Sequence, residues 1–554
     1  MAEARGPASA GAEGAPRMRW WGWGDPSHPR ALPDGAVRFL SRSLGPPGRG
    51  RPPVALDSVR LPGSALSASA LDRLARIVGA GNVRTDHGER VARAAGRGYP
   101  DLVRLRAGEP EGAPDAVVAP AGHEQVRALL EHCARESLAV VPFGGGTSVV
   151  GGVAPLRGPH AGVIALDTER MDEVVALDRE ALTVTVGGGT RARALEGYLA
   201  ARGLTLGHFP QSFEYVSLGG CAATRSAGQA SSGYGSIEKM VVGIRLAAPA
   251  GDIALPAIPA TAAGPSLRGL VVGSEGTLGV IDELSLRVRP APRTSIYEAA
   301  FFGDFESGVR ALRALAQEHA TPEVARLSDE SETRMSLALA GGAGARDRLG
   351  RVYLQARGYA DGCLAILGFE GAEPEVAVRR ARAMGIVRRE DGLPVGRSPG
   401  EAWRRSRFAA PYLRDDLLTL GVMVETLETA TQWSNLERLH ARVARAIDAA
   451  LQACATPGVV MCHVSHLYET GASLYFTFLA ARREQDELGQ WQAAKRAASD
   501  AIVDGGGTIT HHHAIGRDHA PWMQAEAGPE GVAALRALKA QLDPAGIMNP
   551  GKLV

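Results

Sequence analysis

The stretch PFGGGTSVVGGV, residues 142–153, follows directly on the apolar run LAVV (138–141) and sets three consecutive glycines at the end of a strand-like segment. Backbone N–H groups left bare by glycine form a concavity suited to phosphate oxygens. A tight turn is the alternative for this run taken alone. No GK[ST] follows, and the strand–GxGxxG–helix order with a later acidic residue is missing, so neither standard nucleotide fingerprint applies. Upstream, AVVA (116–119) reads as a buried strand, and Val126, Leu129, Leu130, Cys133 and Ala134 recur at helical spacing. Downstream, strands are expected over 162–166, 173–177 and 181–186; a second triple glycine (187–189) then opens a helix over 190–202. With final strands at 241–248 and 278–290, the pattern is that of an α+β or α/β domain.

Two further segments give the glycine loop companions. Residues 207–236, GHFPQSFEYVSLGGCAATRSAGQASSGYGS, form a long stretch of small and polar residues with little periodicity. Loops of that length inside a regular domain are uncommon unless functional. GSEGTLGVI (273–281) is a glycine-punctuated turn running into a strand. Three such loops in one domain indicate an extended ligand held largely by backbone. From about residue 293 the texture changes to longer elements. Helices are expected over 305–319 and 435–455, and strands over 351–357, 365–369, 420–426 and 473–480. DGGGTITHHHAIG (504–516) brings glycine back, and a last helix carrying Val532, Leu535, Leu538 and Leu542 stops before Pro544. A helical lead-in is expected between residues 64 and 112.

Composition narrows the function. The chain has 554 residues, 61 basic against 60 acidic, so a nucleic acid or anionic membrane as main partner would lack its usual electrostatic term. No apolar run approaches the ~18–20 residues needed to span a bilayer. The start, MAEARGPASAGAEGAPR, has no secretory apolar core, and GKLV at the end is not the peroxisomal SKL. The Gly-, Pro-, Ala- and Arg-rich residues 1–63 read as a disordered start followed by an irregular arm. The 5 cysteines show no CxxC pairing and read as idle thiols in a reducing compartment. A bacterial cytosol is the expected setting. No fixed repeat of 20 to 50 residues points to a solenoid or propeller.

PFGGGTS, TRSAG, GSEGTLGVI and LDPAGIMNPGK (542–552) together resemble the FAD-binding oxidases of the vanillyl-alcohol oxidase and p-cresol methylhydroxylase type. Within that superfamily, WWGWG (20–24), GHFPQS (207–212), PYLRD (411–415), YETGASLYFTF (468–478) and the histidines 511–513 resemble the alkyldihydroxyacetonephosphate synthase branch. The resemblance implies an α+β fold. Its parts would be the arm (1–63), the lead-in (64–112), a two-subdomain FAD-binding domain (113–292), an α+β cap (293–504), and a histidine loop with C-terminal helix returning to the flavin (505–554).

Carried across position by position, it assigns FAD to four loops. These are Pro142, Phe143, Gly144, Gly145, Gly146, Thr147 and Ser148; Gln211, Ser212, Phe213, Glu214, Tyr215, Val216 and Ser217; Thr224, Arg225, Ser226 and Ala227; and Glu275, Gly276, Thr277, Leu278, Gly279, Val280 and Ile281. Thr147 stands where covalent members bond the flavin through histidine, which implies noncovalent FAD. Gln211 replaces the acidic residue usual in the family.

Tyr475, in GASLYF, matches the catalytic tyrosine, although the residue alone reads first as a core-facing tyrosine of a strand. Arg414 matches an arginine for the substrate phosphate, which a guanidinium fork suits. Arg326 matches an arginine that positions flavin or active-site groups. His511–His513 alone leave three readings open: a solvated loop, a metal site joined by His463 and His466, or an active-site segment. The resemblance selects His512 and His513 as catalytic and implies no metal. The implied reaction exchanges the acyl chain of acyl-dihydroxyacetone phosphate for a fatty alcohol, with FAD unchanged in net redox state and an apolar tunnel in the cap for the two chains. Peripheral membrane contact and homodimerisation stay open. The rivals are an FAD-linked D-2-hydroxy-acid dehydrogenase or oxidase and a catalytically idle flavin-binding protein on the same fold.

Overall fold

The computed structural model describes residues 6–7, 18–24, 32–45, 50–340 and 345–554; part of the expected disordered start lies outside the described residues, and the expected irregular arm contains the helix Asp34–Leu44, which buries Leu40 and Leu44 against Leu417 and Val422. The GGGTS loop leaves a four-stranded sheet ordered Val83–Arg84, Ala116–Val118, Gly162–Asp167, Leu138–Phe143. Its last three strands are parallel. Gly162–Asp167 is buried at every position, as a central parallel strand covered on both faces must be. The helix His123–Arg135 packs Val126, Leu129, Leu130 and Cys133 against it.

A second, antiparallel sheet runs Gly6–Pro7, Glu173–Asp178, Thr183–Gly187, Val280–Arg287, Val241–Ala248, Gly251–Leu255. The third sheet has seven strands, in the order Leu393–Gly396, Thr294–Phe302, Cys363–Gly371, Val324–Ser328, Gly458–Leu467, Gly471–Ala481, Val422–Gln432. Helices Phe305–Gln317, Glu373–Arg389, Leu436–Ala453 and Glu487–Asp504 contribute buried side chains to its apolar core.

Most expected elements form near their expected bounds. Residues 351–357 do not: they close the helix Ala345–Ala356, where Val352 is 61% exposed. Its strand-favouring residues have no neighbouring strand to pair with, and a strand is stabilised chiefly by such pairs. Two central strands of the third sheet, Val324–Ser328 and Gly458–Leu467, were not foreseen. The long 207–236 segment also contains short helices, Leu218–Ala223 and Ser231–Tyr234. Cys133, Cys221, Cys363 and Cys462 are buried free thiols. Among the described residues no helix is long and apolar enough to cross a membrane.

The C-terminal motif straps these sheets together. Val140 donates to Ile547 O at 2.8 Å and accepts from Asn549 N at 2.8 Å, which extends the parallel sheet by one bridge. The Asn549 amide donates to Gly152 O (3.0 Å) and Glu275 O (2.7 Å), and Lys539 donates to Thr277 O (2.8 Å). Residues of the first and third glycine loops are thereby fixed to one tail.

Candidate active site

The three glycine loops and the seven-stranded sheet face one another across a cavity of about 350 Å³. Two close contacts explain glycines in its wall. A Cβ on Gly145 would fall 2.2 Å from Tyr215 O, and Gly276 has φ +71° with a Cβ position 2.9 Å from Pro142 Cγ. The helix Leu218–Ala223 starts in the wall where Ser217 Oγ accepts from Gly220 N at 3.2 Å.

Among the described residues, the backbone N–H groups of Gly145, Gly146, Thr147 and Ser148 make no hydrogen bond within the chain. All four residues line the cavity. Unsatisfied N–H groups converging on a cavity suit a diphosphate, so these residues fit the FAD that the sequence implies.

Of the expected cofactor residues, Phe213, Glu214, Tyr215, Arg225, Thr277 and Leu278 do not line this cavity, and the remaining positions of the four loops do. Phe213 stacks on Phe408 instead, with ring centroids 5.2 Å apart. Arg225 turns away to Val272 O and Gly269 O, both at 3.2 Å. Glu275 lines the cavity yet spends its carboxylate on Ile515 N (2.8 Å) and Gly516 N (2.7 Å); burial nonetheless pushes it up to about 7.

The opposite wall is built by cross-strand register. Ser328 pairs with His463, His463 with Tyr475, and Tyr475 with Glu428, so these four lie in one row across four strands. Arg326, two residues before Ser328, shares their face. Its guanidinium donates to Glu332 Oε1 at 2.8 Å and lies 3.0–3.1 Å from the nitrogens of His463. Glu332 is delivered by the helix Glu330–Leu339, which Asp329 caps by accepting from Glu332 N at 2.7 Å. Burial opposes its charge, but Arg326 and His463 hold the Glu332 carboxyl down at about 2.

His463 stacks on Tyr475 with centroids 4.8 Å apart, while His512 lies 6.1 Å and His513 5.5 Å from the same ring. Burial raises the Tyr475 phenol above its ordinary range, against the pull of Thr426 and Arg414. Burial also lowers His511, His512 and His513 to about 4, although Glu428 works the other way. At neutral pH the phenol is therefore a donor and the imidazoles are neutral acceptors. His513 Nδ1 is buried with no hydrogen-bond partner.

Arg414 sits on the helix Ala410–Thr419, 7% exposed, and donates to Arg97 O (3.1 Å) and Thr426 Oγ1 (3.2 Å). The next residue, Asp415, holds WWGWG in place by accepting from Trp23 N (3.0 Å) and Gly24 N (3.3 Å). Trp23 in turn lines the cavity together with Arg414. Arg326, Tyr475, His512 and His513 all border this same space, whereas His511 faces a second cavity of about 490 Å³. The second cavity, bordered by Leu278, Ile509, Met523 and Leu535, lies between the N-terminal half and the last helix, not inside the segment 293–504.

Nitrogens of His466, His511 and His512 come within 4.8 Å of one another. His466 Nε2, however, bonds Gly228 O at 3.1 Å and its Nδ1 meets Ser473 Oγ at 3.1 Å, so both of its nitrogens are already engaged. Sequence reasoning missed Glu332 and Glu428. Asp329 and Glu332 have the D-x-x-E spacing of a helix start, a signal that points to no site, and Glu428 carries no local signal.

Comparisons with known proteins bear on the cofactor domain and the family. The family profile described as FAD binding domain matches residues 114–254, and that described as FAD linked oxidases, C-terminal domain, matches residues 291–553. The chain is 32% identical to the alkyldihydroxyacetonephosphate synthase of Dictyostelium discoideum over 85% of its length and 78% of the relative's. It is 30% identical to that of Trypanosoma brucei brucei over 89% and 82%. A solved alkyldihydroxyacetonephosphate synthase structure superposes with a TM-score of 0.84 at 28% identity, covering 97% of this chain and 99% of that one. Both named relatives are eukaryotic, so the expected bacterial setting gains no support from them. The chain belongs to the alkyldihydroxyacetonephosphate synthase family.

Proposed function

We propose that this chain replaces the acyl group of acyl-dihydroxyacetone phosphate with a fatty alcohol, giving an ether-lipid precursor without net redox change. The observation carrying the reading is that one cavity is bordered by the glycine loops on one side and by Arg414, Tyr475, His512 and His513 on the other. In this reading the substrate phosphate is held by Arg414, whose fork keeps donors beyond those given to Arg97 and Thr426. The Tyr475 phenol, still protonated, orients the substrate and relays a proton, and a neutral imidazole of His512 or His513 receives it. Arg326 holds Glu332 and His463 rigid beneath the Tyr475 ring.

The carboxylate leaves as its bond to the substrate's first carbon breaks. The alcohol oxygen forms the new bond there, and the alcohol's proton balances the released acid. FAD, held without a covalent bond by the loop containing Gly145, Gly146, Thr147 and Ser148, would supply an electron-deficient ring system for this chemistry. The same reading divides the chain near residue 292 into a cofactor part and a cap. The anaerobic test mixes the protein with palmitoyl-dihydroxyacetone phosphate and hexadecanol and analyses the lipids by mass spectrometry. Ether product with oxidised flavin, lost in Tyr475→Phe, is the expected result. No ether, with the flavin bleached by D-lactate or D-2-hydroxyglutarate, would replace this reading with a dehydrogenase.

A further inference from the structure

One carboxylate outside the cavity lining organises the histidine loop. Glu428, on the strand Val422–Gln432, is 1% exposed and pairs across the sheet with Tyr475. Its oxygens accept from His512 N at 3.0 Å, from His513 N at 2.7 Å and from His511 N. Thr510 Oγ1 donates a fourth contact at 2.8 Å. Three consecutive amide N–H groups closing on one anion make a nest. Here the anion is a side chain of the protein itself.

Glu428 has no arginine or lysine partner within ion-pair distance among the described residues; the nearest ionisable nitrogens are His512 Nδ1 at 3.5 Å and His513 Nδ1 at 3.6 Å. Burial opposes its charge, yet the surrounding imidazoles and amides keep the carboxyl well below its ordinary range. His466, His519, Tyr468 and Tyr475 complete the set of titratable groups that feel it. The anion therefore stands directly behind two neutral imidazoles, and it works against Lys495 and Arg414, which push His513 the other way.

We propose that Glu428 is the positioning residue of the active site: its carboxylate fixes the backbone of 511–513 so that His512 and His513 face Tyr475, and its charge steadies an imidazolium formed there during turnover. The inference rests on the reaction proposed above. The imidazole that receives the proton relayed by Tyr475, and returns it once the ether bond is made, carries its positive charge beside this carboxylate.

Holoenzyme carrying Glu428→Gln tests it, because the amide keeps the volume but removes the charge and one acceptor. Expected is a fall in kcat on the order of 100-fold with KM changed less than about threefold, the scale of a misplaced catalytic group. The acid limb of the kcat–pH profile should move to lower pH, since the carboxylate that raises the imidazoles is gone. Hydrogen exchange of a peptide spanning 508–516 should quicken, and Glu428→Asp should recover part of kcat. Wild-type kcat with an unmoved limb in Glu428→Gln overturns the proposal. Should that variant fail to fold, Thr510→Val removes one contact while leaving the charge; a severalfold loss of kcat supports the assignment and an unchanged kcat overturns it. Hydrogen exchange needs no substrate, so wild-type protein that makes no ether defeats the reaction, whereas unaltered exchange in Glu428→Gln defeats the clamp.

Discussion

Replacing Arg326 by alanine should destabilise the protein in a pH-dependent way. Arg326 and His463 both contact the buried Glu332 carboxylate, at 2.8 and 3.0 Å. Removing one partner of a buried pair costs about 3–5 kcal/mol. The two side chains are 18% and 11% exposed, which puts the cost at pH 8 near the low end, about 3 kcal/mol. His463 can take over. Burial and the adjacent guanidinium keep it neutral in the wild type. Truncating Arg326 removes the opposing charge and lets water relieve part of the burial, leaving Glu332 to lift the folded pKa of His463 above the unfolded ~6.5. A raised folded pKa gives stability that is full below the unfolded value and is lost as pH rises through the folded one. The deficit of Arg326→Ala should therefore shrink from pH 8 to pH 6, by at most about 1.4 kcal/mol for each unit of that rise. Thermal midpoints of wild type and variant, read by circular dichroism at both pH values, give the comparison. Adding His463→Phe should abolish the pH dependence. A deficit equal at both pH values, or larger at pH 6, would refute the argument.

Gly145→Ala should yield protein that folds but loses the flavin colour on purification, because its Cβ would need the space 2.2 Å from Tyr215 O; a fully yellow variant contradicts the loop's role. Arg414→Lys should raise KM for the phosphate-bearing substrate at least about tenfold while leaving most of kcat, since an ammonium cannot reproduce the fork; steady-state kinetics showing an unchanged KM would count against phosphate binding there. The thermal midpoint should also fall between pH 7 and pH 5. His511, His512 and His513 sit at about 4 when folded, so the unfolded chain binds more protons as pH drops below ~6.5. A flat midpoint across that range would show that these imidazoles are not buried and neutral.

What could be read from the sequence divides by the kind of signal each residue leaves. Gly145 and Gly276 were legible as loop residues because the constraint on them is local: a positive φ or a backbone approach excludes every other side chain. The helix His123–Arg135 was legible because burial on one face imposes a period on its apolar residues. Tyr475, Arg414 and Arg326 left no such mark. Each is one polar residue in an ordinary segment, and only the resemblance singled them out. The strands Val324–Ser328 and Gly458–Leu467 escaped notice because their partners are distant in sequence and pairing, not propensity, makes them strands.

The histidine triplet shows where a sound rule was given the wrong premise. In an extended segment adjacent side chains alternate faces, so three consecutive histidines there could not easily share one metal ion. Residues 511–513 form a bend, not a strand. Their amides turn inward to Glu428, and the rings of His512 and His513 border the same cavity while His511 borders the other. The bend exists because a carboxylate from another strand accepts from all three amides. In the run VMVETLETATQ (422–432) that carboxylate looks like a solvent-facing position of an alternating strand. Glu425 and Glu428, three residues apart, cannot share a face at a period of two, yet each is 1% exposed. Two buried carboxylates on opposite faces of one strand mean that both faces are covered and that each carboxylate must be supplied with donors. That odd spacing of acids inside an apolar strand was the available sign that other parts of the chain, here the histidine loop, had to come to meet it.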